Sequence, residues 1–181
     1  STLILDRDNA TANRMVQGLS SFLRHSLDSD PMQRVTFKQE LDALRLYLDI
    51  EKVRFTERLH LHYDVQPECY SALLPSLLLQ PLIENAIKYA VARRVEGGRL
   101  EITARRDGDM LELRVADDGP GCAAFAAGEM PAGHGVGLAN TRERLRVLYG
   151  ERQSFTARNR ESGGAEITIR LPFETGGAPR E

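Results

Sequence analysis

The fold is decided by the stretch Gln80-Pro-Leu-Ile-Glu-Asn85-Ala-Ile-Lys88-Tyr89. A helix is predicted here, beginning after Pro75 and ending near Ala92. The amide oxygen of Asn85 suits Mg²⁺, because this hard ion prefers oxygen ligands. Lys88, on the next turn, can reach phosphate oxygens. The stretch therefore predicts a helix face that can hold a metal ion together with phosphates.

Two glycine-containing segments follow that helix. The first, Asp117-Asp-Gly119-Pro-Gly121, comes after a predicted strand, and its leading carboxylate can accept a hydrogen bond from an amine such as N6 of adenine. The second, Gly133-His-Gly135-Val-Gly137-Leu138, enters a helix, so backbone N–H groups and the helix dipole can face phosphates. Taken singly, either segment is typical of a tight turn or a flexible loop. In this order, the three segments predict a nucleotide site.

The composition of the chain fits one domain with an appendage. The sequence has 181 residues, and its 24 Lys plus Arg against 26 Asp plus Glu give a net charge of −2. Nucleic acid and anionic membrane are therefore not expected as partners. Cys69 and Cys122 lie far apart in sequence and predict neither a disulfide framework nor a zinc site, so we expect a cytoplasmic protein. The most apolar stretch, from Ala72 to Ile83, is too short to span a bilayer.

Hydrophobic periodicity predicts an α+β domain. An amphipathic helix is predicted from Asp8 to Leu27, and a capping box of Thr36 and Gln39 predicts a second helix ending near Phe55. A last helix is predicted from Leu138 to Tyr149. Alternation predicts five strands, at Leu59–Val65, Leu100–Arg105, Met110–Ala116, Ser154–Asn159 and Glu166–Leu171. This order of elements favours a largely antiparallel sheet with helices on one face.

The three segments together resemble the N, G1 and G2 boxes of the GHKL ATPase superfamily. Within it, the chain is most similar to the LytS/YehU-like sensor histidine kinases, on Gln80-Pro81, on Asn140-Thr-Arg-Glu-Arg-Leu145, and on the run from Glu40 to Phe55. The resemblance extends from about Ala12 to Pro172. It implies a Bergerat ATP-binding fold, which is a two-layer α/β sandwich with a mixed, mostly antiparallel sheet, and a lid that closes over ATP.

The resemblance also assigns roles to residues. It implies that Asn85 binds Mg²⁺ and that Asp117 reads adenine. Glu84, which flanks Asn85, is the candidate catalytic residue. Gly119 and Gly121 resemble the floor of the base pocket. The remaining residues expected to contact the nucleotide are Lys88, Tyr89, Gly133, Gly135, Val136, Gly137 and Leu138. ATP and Mg²⁺ are therefore the expected cofactors.

Two positions depart from the family pattern. Pro81 stands where many relatives carry Asn, Glu or His, so a second metal ligand or a water-activating base is absent there. Gly164-Ala165 stands where the last strand of relatives often begins Gly-Thr, which implies a looser base pocket or a water in place of the hydroxyl. Two roles stay open at this point. Glu84 orients water or metal, or makes a structural hydrogen bond, and Arg142 and Arg144 face the γ-phosphate or solvent.

The resemblance divides the chain into three parts. Residues 1–31 correspond to the C-terminal part of a dimerisation and phosphoacceptor region, residues 32–173 to the ATP-binding domain, and residues 174–181 to a disordered tail. The family's acceptor histidine is followed by Phe-x-Phe-Asn, and none of the four histidines has that sequence, namely His25, His60, His62 and His134. We therefore expect the acceptor upstream of Ser1.

The implied function is transfer of the γ-phosphoryl of ATP to that histidine and then to a response regulator. A homodimer is expected for the full-length protein, with any anchoring in the inner membrane coming from segments outside this chain. Two alternatives stay open: an ATPase clamp of the same superfamily, against which Pro81 argues, and a nucleotide-sensing module that only dimerises.

Overall fold

A computed structural model describes residues 16, 30, 32–92, 94–126 and 136–176. The helix predicted from Asp8 to Leu27 therefore falls outside the described residues, apart from Val16. The same is true of two of the predicted lid glycines, Gly133 and Gly135. Within the described part of the chain, no helix combines the length and the apolar character needed to cross a membrane.

Five strands form the main sheet, as the alternating pattern predicted. They are β2 (Leu59–Val65), β4 (Gly98–Asp107), β5 (Met110–Asp117), β6 (Ser154–Asn159) and β7 (Ala165–Pro172). Their order is β2-β4-β5-β7-β6, in which only β2 and β4 run parallel. The predicted α+β class with a mixed, mostly antiparallel sheet is confirmed. Two short strands that the sequence did not predict, β1 (Arg34–Thr36) and β3 (Leu73–Pro75), form a separate antiparallel pair.

The sheet has one apolar face and one charged face. On the central strands, register places Ile102 beside Val115 and Val115 beside Ile167, and all three side chains are buried. The alternate positions carry ion pairs, such as Arg158 with Glu166 at 2.7 Å. Because the helices share one core with the apolar face, the domain has two layers.

Helix α1 (Phe37–Phe55) begins where the sequence predicted it. The backbone N–H of Thr36 donates to the side-chain oxygen of Gln39 at 2.9 Å, and the backbone N–H of Gln39 donates to Thr36 Oγ1 at 3.2 Å. This reciprocal pair is the predicted capping box. The buried face of α1, which includes Leu41 and Leu48, packs into the common core.

The helix that carries Asn85 is not uniform. Helix α2 (Leu79–Ala86) changes into a π-helical turn over Ile87–Val91, where the N–H of Ala92 donates to the carbonyl of Ile87 at 2.9 Å. The sequence predicted one continuous helix across this region. A π turn adds one residue per turn and is frequent at functional sites. Here it falls between Asn85 and Val91, beside the predicted nucleotide residues.

Two further helices complete the described chain, α3 (Ala123–Ala126) and α4 (Val136–Tyr149). Past β7, the backbone carbonyl of Glu174 accepts a 2.7 Å hydrogen bond from Leu73, and Thr175 bridges to Ala72. The described fold therefore extends into the segment that the sequence assigned to a tail.

Candidate functional site

Asp117 is the last residue of β5 and is held by two backbone donors. Its Oδ1 accepts hydrogen bonds from the N–H of Gly119 at 2.8 Å and from the N–H of Ala165 at 3.2 Å. Gly164, with a φ of +88°, permits this approach, because a Cβ there would lie 1.9 Å from the carbonyl oxygen of Asp117. The carboxylate is therefore fixed by the main chain of a neighbouring strand.

The other carboxylate oxygen of Asp117, Oδ2, accepts no hydrogen bond from any residue that the structure describes. The residue is only 7% exposed, and burial raises the pKa of its carboxyl above the ordinary value. The backbone bonds from Gly119 and Ala165 oppose that rise. A buried acceptor with one free oxygen is a suitable partner for a donor on a ligand.

A cavity opens beside this carboxylate, and we call it the base cavity. It lies between helix α2, with its π turn, and the loop that follows β5. Its lining residues are Asn85, Tyr89, Asp117, Pro120, Gly121, Cys122, Phe125 and Ala165. Its walls combine apolar and aromatic side chains, such as Pro120 and Phe125, with the carboxylate of Asp117.

A second cavity, the phosphate cavity, adjoins the first. Its lining residues are Pro81, Glu84, Asn85, Lys88, Gly137 and Leu138. Asn85 lines both cavities. The first turn of α4 contributes Gly137 and Leu138 to the lining of the phosphate cavity, and the N–H groups of a first helical turn have no acceptor within their own helix.

The individual predicted residues are placed as follows. Lys88 is exposed, with its ammonium nitrogen 5.4 Å from the ring centre of Tyr89. Glu84 is exposed and accepts a 2.7 Å hydrogen bond from the side-chain amide of Gln80, one turn earlier on α2. Val136 is the first residue of α4. Among the described members of the predicted set, Gly119 and Val136 line neither cavity, and the others line one or both.

The two departures from the family pattern also lie in this site. Pro81 places an apolar ring in the phosphate cavity, and a Cβ added at Gly137 would lie 3.4 Å from Pro81 Cβ. Ala165 lines the base cavity and offers Asp117 its backbone N–H. The main-chain contact at this position therefore needs no hydroxyl.

Arg144 does not line either cavity. Its guanidinium donates to the carbonyls of Ser76 at 3.0 Å and Leu77 at 3.2 Å, and burial lowers its pKa. Glu40, 3% exposed, accepts the backbone N–H groups of Leu77 and Leu79, both at 2.9 Å. Together these two side chains hold the turn that leads into α2. Sequence reasoning missed this role, although a glutamate on the apolar stripe of α1 was a visible signal.

Known families match both parts of the chain. The family described as "Histidine kinase-, DNA gyrase B-, and HSP90-like ATPase" matches residues 72–175. The family described as "Histidine kinase" matches residues 1–59.

Curated relatives agree with these matches. The chain is 33% identical over 170 residues to the sensor histidine kinase BtsS of Escherichia coli (strain K12), covering 94% of this chain and 29% of BtsS. It is 27% identical over 175 residues to the sensor protein LytS of Staphylococcus epidermidis, covering 93% of this chain and 29% of LytS. The chain therefore spans under a third of the length of these relatives.

A solved structure supports the fold. The catalytic domain of the histidine kinase ThkA, in a nucleotide-free form, aligns with a TM-score of 0.61 at 15% identity. The alignment covers 78% of this chain and 95% of that domain. At this identity the likeness concerns the fold alone.

Proposed function

This chain belongs to the histidine kinase-, DNA gyrase B- and HSP90-like ATPase family. On that premise we propose that it is the ATP-binding catalytic domain of a sensor histidine kinase. Adenine enters the base cavity, and the triphosphate extends past Asn85 into the phosphate cavity.

The observation that carries this proposal is the state of Asp117. One oxygen accepts two backbone N–H groups, the other has no donor among the described residues, and the residue lines the base cavity. The N6 amine of adenine supplies the missing donor, whereas O6 of guanine or hypoxanthine presents a second acceptor. The buried carboxylate therefore selects adenine.

The residues of the phosphate cavity fit a triphosphate and Mg²⁺. No described residue hydrogen-bonds the side-chain amide of Asn85, so its oxygen is free to act as a metal ligand. Lys88 and the start of α4 supply positive charge for phosphate oxygens. When bound, Mg²⁺ neutralises the charge that develops on the phosphates. Asn85 would hold the ion, and Glu84 would orient a water or the ion beside it.

The phosphoryl acceptor is a histidine of the dimerisation region that is followed by Phe-x-Phe-Asn, a sequence that follows none of the four histidines of this chain. Catalysis of this kind rests on positioning and charge neutralisation, so the ATP-binding domain itself needs no nucleophile. The phosphoryl group then passes to a response regulator. The full-length protein works in the cytoplasm as a homodimer.

The phosphate cavity favours phosphotransfer over the alternative of an ATPase clamp. Clamp enzymes need a base that activates water, and at the corresponding place Pro81 presents only an apolar ring. Phosphoryl transfer to a histidine on another element does not require that base.

Labelling of the full-length protein with γ-labelled ATP and Mg²⁺ tests this proposal. Wild-type protein is expected to acquire an acid-labile phosphate, Asp117→Asn to lose it, and residues 1–181 alone to remain unlabelled. Asp118→Asn is the matched control, because Asp118 bonds Arg94 and the N–H of Arg99 and does not line either cavity. Full labelling of Asp117→Asn would contradict the base-reading role. Release of free phosphate without any labelled histidine would favour the ATPase clamp instead.

A further inference from the structure

Asn159, the last residue of β6, binds the backbone of one residue at two points. Its Oδ1 accepts the N–H of Cys122 at 2.8 Å, and its Nδ2 donates to the carbonyl of Cys122 at 2.9 Å. The primary amide thus satisfies both main-chain groups of Cys122, as a neighbouring strand would. The two residues are separated by 37 positions, so only the fold brings them together.

Cys122 joins two parts of the base cavity. It ends the loop that starts at Gly119, and its carbonyl also accepts the N–H of Ala126 at 3.3 Å, which closes the single turn of α3. Cys122 and Phe125 line the base cavity across from Asn85. Because a helix of one turn has no stability of its own, the position of this wall depends on tertiary contacts such as that of Asn159.

Gly121 carries independent evidence of how closely Asn159 approaches this loop. Its φ is +77°, and a Cβ added there would lie 2.8 Å from Asn159 Oδ1 and 3.1 Å from Asn159 Cγ. The side-chain amide therefore fills the space that any other residue at position 121 would need. Asn159 is also paired in register with Ala165, whose N–H holds Asp117.

We propose that Asn159 is the positioning residue of the base cavity: by clamping Cys122 it holds the wall against which adenine packs. Through its register with Ala165, the same residue fixes that wall relative to the carboxylate of Asp117. This inference rests on the proposed function, because it concerns the same nucleotide site.

Asn159→Ala tests the inference when ADP affinity is measured with and without Mg²⁺, because this separates binding of the base from binding of the phosphates. Loss of two backbone hydrogen bonds is expected to weaken ADP binding by roughly five- to fiftyfold. The factor should be the same with and without Mg²⁺, because the change acts on the base. Asn85→Ala is the opposite reference, since it should remove the Mg²⁺ dependence of binding. Asn159→Asp keeps the acceptor for Cys122 N–H and should recover part of the affinity.

A double-mutant cycle separates positioning from a general loss of stability. Gly121→Ala should weaken ADP binding less in the Asn159→Ala background than in wild type, because the colliding amide is gone. Thr156→Ala, at an exposed site on β6, is the control for an alanine substitution elsewhere on the same strand.

Three outcomes distinguish the possibilities. Unchanged ADP affinity in Asn159→Ala, an effect seen only with Mg²⁺, or additive costs in the cycle would each overturn the inference. Failure of wild-type protein to bind ADP would instead overturn the proposed function.

Discussion

The backbone N–H of Ala165 donates a hydrogen bond to Oδ1 of Asp117 across 3.2 Å. This bond links the first residue of β7 to the last residue of β5 at the end of the sheet. Since a main-chain group makes it, alanine at position 165 leaves it intact. Oδ2 is the carboxylate oxygen that has no donor among the described residues.

That arrangement leads to a prediction for Asp117→Asn. The two backbone N–H groups require an oxygen, so the new amide should keep its oxygen toward them and turn its NH₂ toward the base cavity. A donor there opposes N6 of adenine and suits O6 of hypoxanthine. We expect ADP affinity to fall by about 10- to 150-fold and IDP affinity to rise. Calorimetry with both nucleotides checks this, and equal losses for ADP and IDP would contradict it.

The raised pKa of Asp117 predicts how binding depends on pH. Burial places the pKa of the free protein above the ordinary value of about 3.9, so the carboxyl protonates in milder acid than an exposed aspartate. A protonated oxygen no longer accepts from N6, so ADP affinity should fall as pH falls through the raised pKa. IDP binding to Asp117→Asn corrects for titration of the phosphates. Parallel pH profiles for ADP binding to wild type and IDP binding to Asp117→Asn would show that Asp117 is not the titrating group.

The same pKa shift also affects the stability of the domain without nucleotide, in the opposite direction: stability rises as the pH falls. A carboxyl whose pKa is higher in the folded state stabilises the fold when it is protonated. Its contribution should therefore grow as pH falls from the raised pKa toward the ordinary one, and be lost as pH rises again. The difference between wild type and Asp117→Asn in urea unfolding isolates this contribution.

The two cysteines give a chemical footprint of the base cavity. Cys122 lines that cavity and is partly exposed, whereas Cys69 is 0% exposed and burial raises its pKa. We expect iodoacetamide to alkylate Cys122 first, and saturating ADP to slow this reaction at least severalfold. Peptide mass spectrometry measures both sites, and Cys122→Ser is the control. Alkylation of Cys122 at the same rate with and without ADP would place the nucleotide elsewhere.

Glu40 is a buried carboxylate on α1 and should contribute to stability. Its two oxygens accept the part-buried N–H group of Leu77 and the buried N–H group of Leu79, in the turn that leads into α2. Glu40→Ala leaves both donors unpaired, which costs about 1–3 kcal/mol each. Urea unfolding should therefore show a loss of roughly 2–5 kcal/mol, with Glu40→Gln losing less. A loss below 0.5 kcal/mol, within the range of a neutral surface change, would contradict this role.

Local patterns predicted the elements that local chemistry governs. The capping box of Thr36 and Gln39 is satisfied within four residues, and the alternation of Leu59–Val65 needs only one buried face. The described site residues were recognised for the same reason, because Asn85, Asp117 and Gly137 belong to short motifs. Whether these residues read adenine and hold Mg²⁺ remains a prediction for the experiments above.

Contacts between distant residues were not readable from the sequence. The π turn at Ile87–Val91 depends on packing against the sheet, while its sequence alone fits an ordinary helix. Asn159 and Cys122 are unremarkable at the end of a strand and in a loop, and only the antiparallel pairing of β6 with β7 brings them together. The hydrogen bonds that Glu40 accepts from the turn before α2 were not predictable either, because they join residues 37 or more positions apart.

In the proposed function, the free oxygen of Asp117 reads the amine of adenine. Calorimetric titration of the wild-type protein with ADP and with IDP tests it most directly, because the two nucleotides differ at the group that Asp117 meets. Loss of a charge-assisted hydrogen bond costs roughly 1.5–3 kcal/mol, or about 10- to 150-fold in affinity. We expect ADP to bind with a micromolar Kd and IDP at least tenfold more weakly. Equal affinities for ADP and IDP would contradict the account.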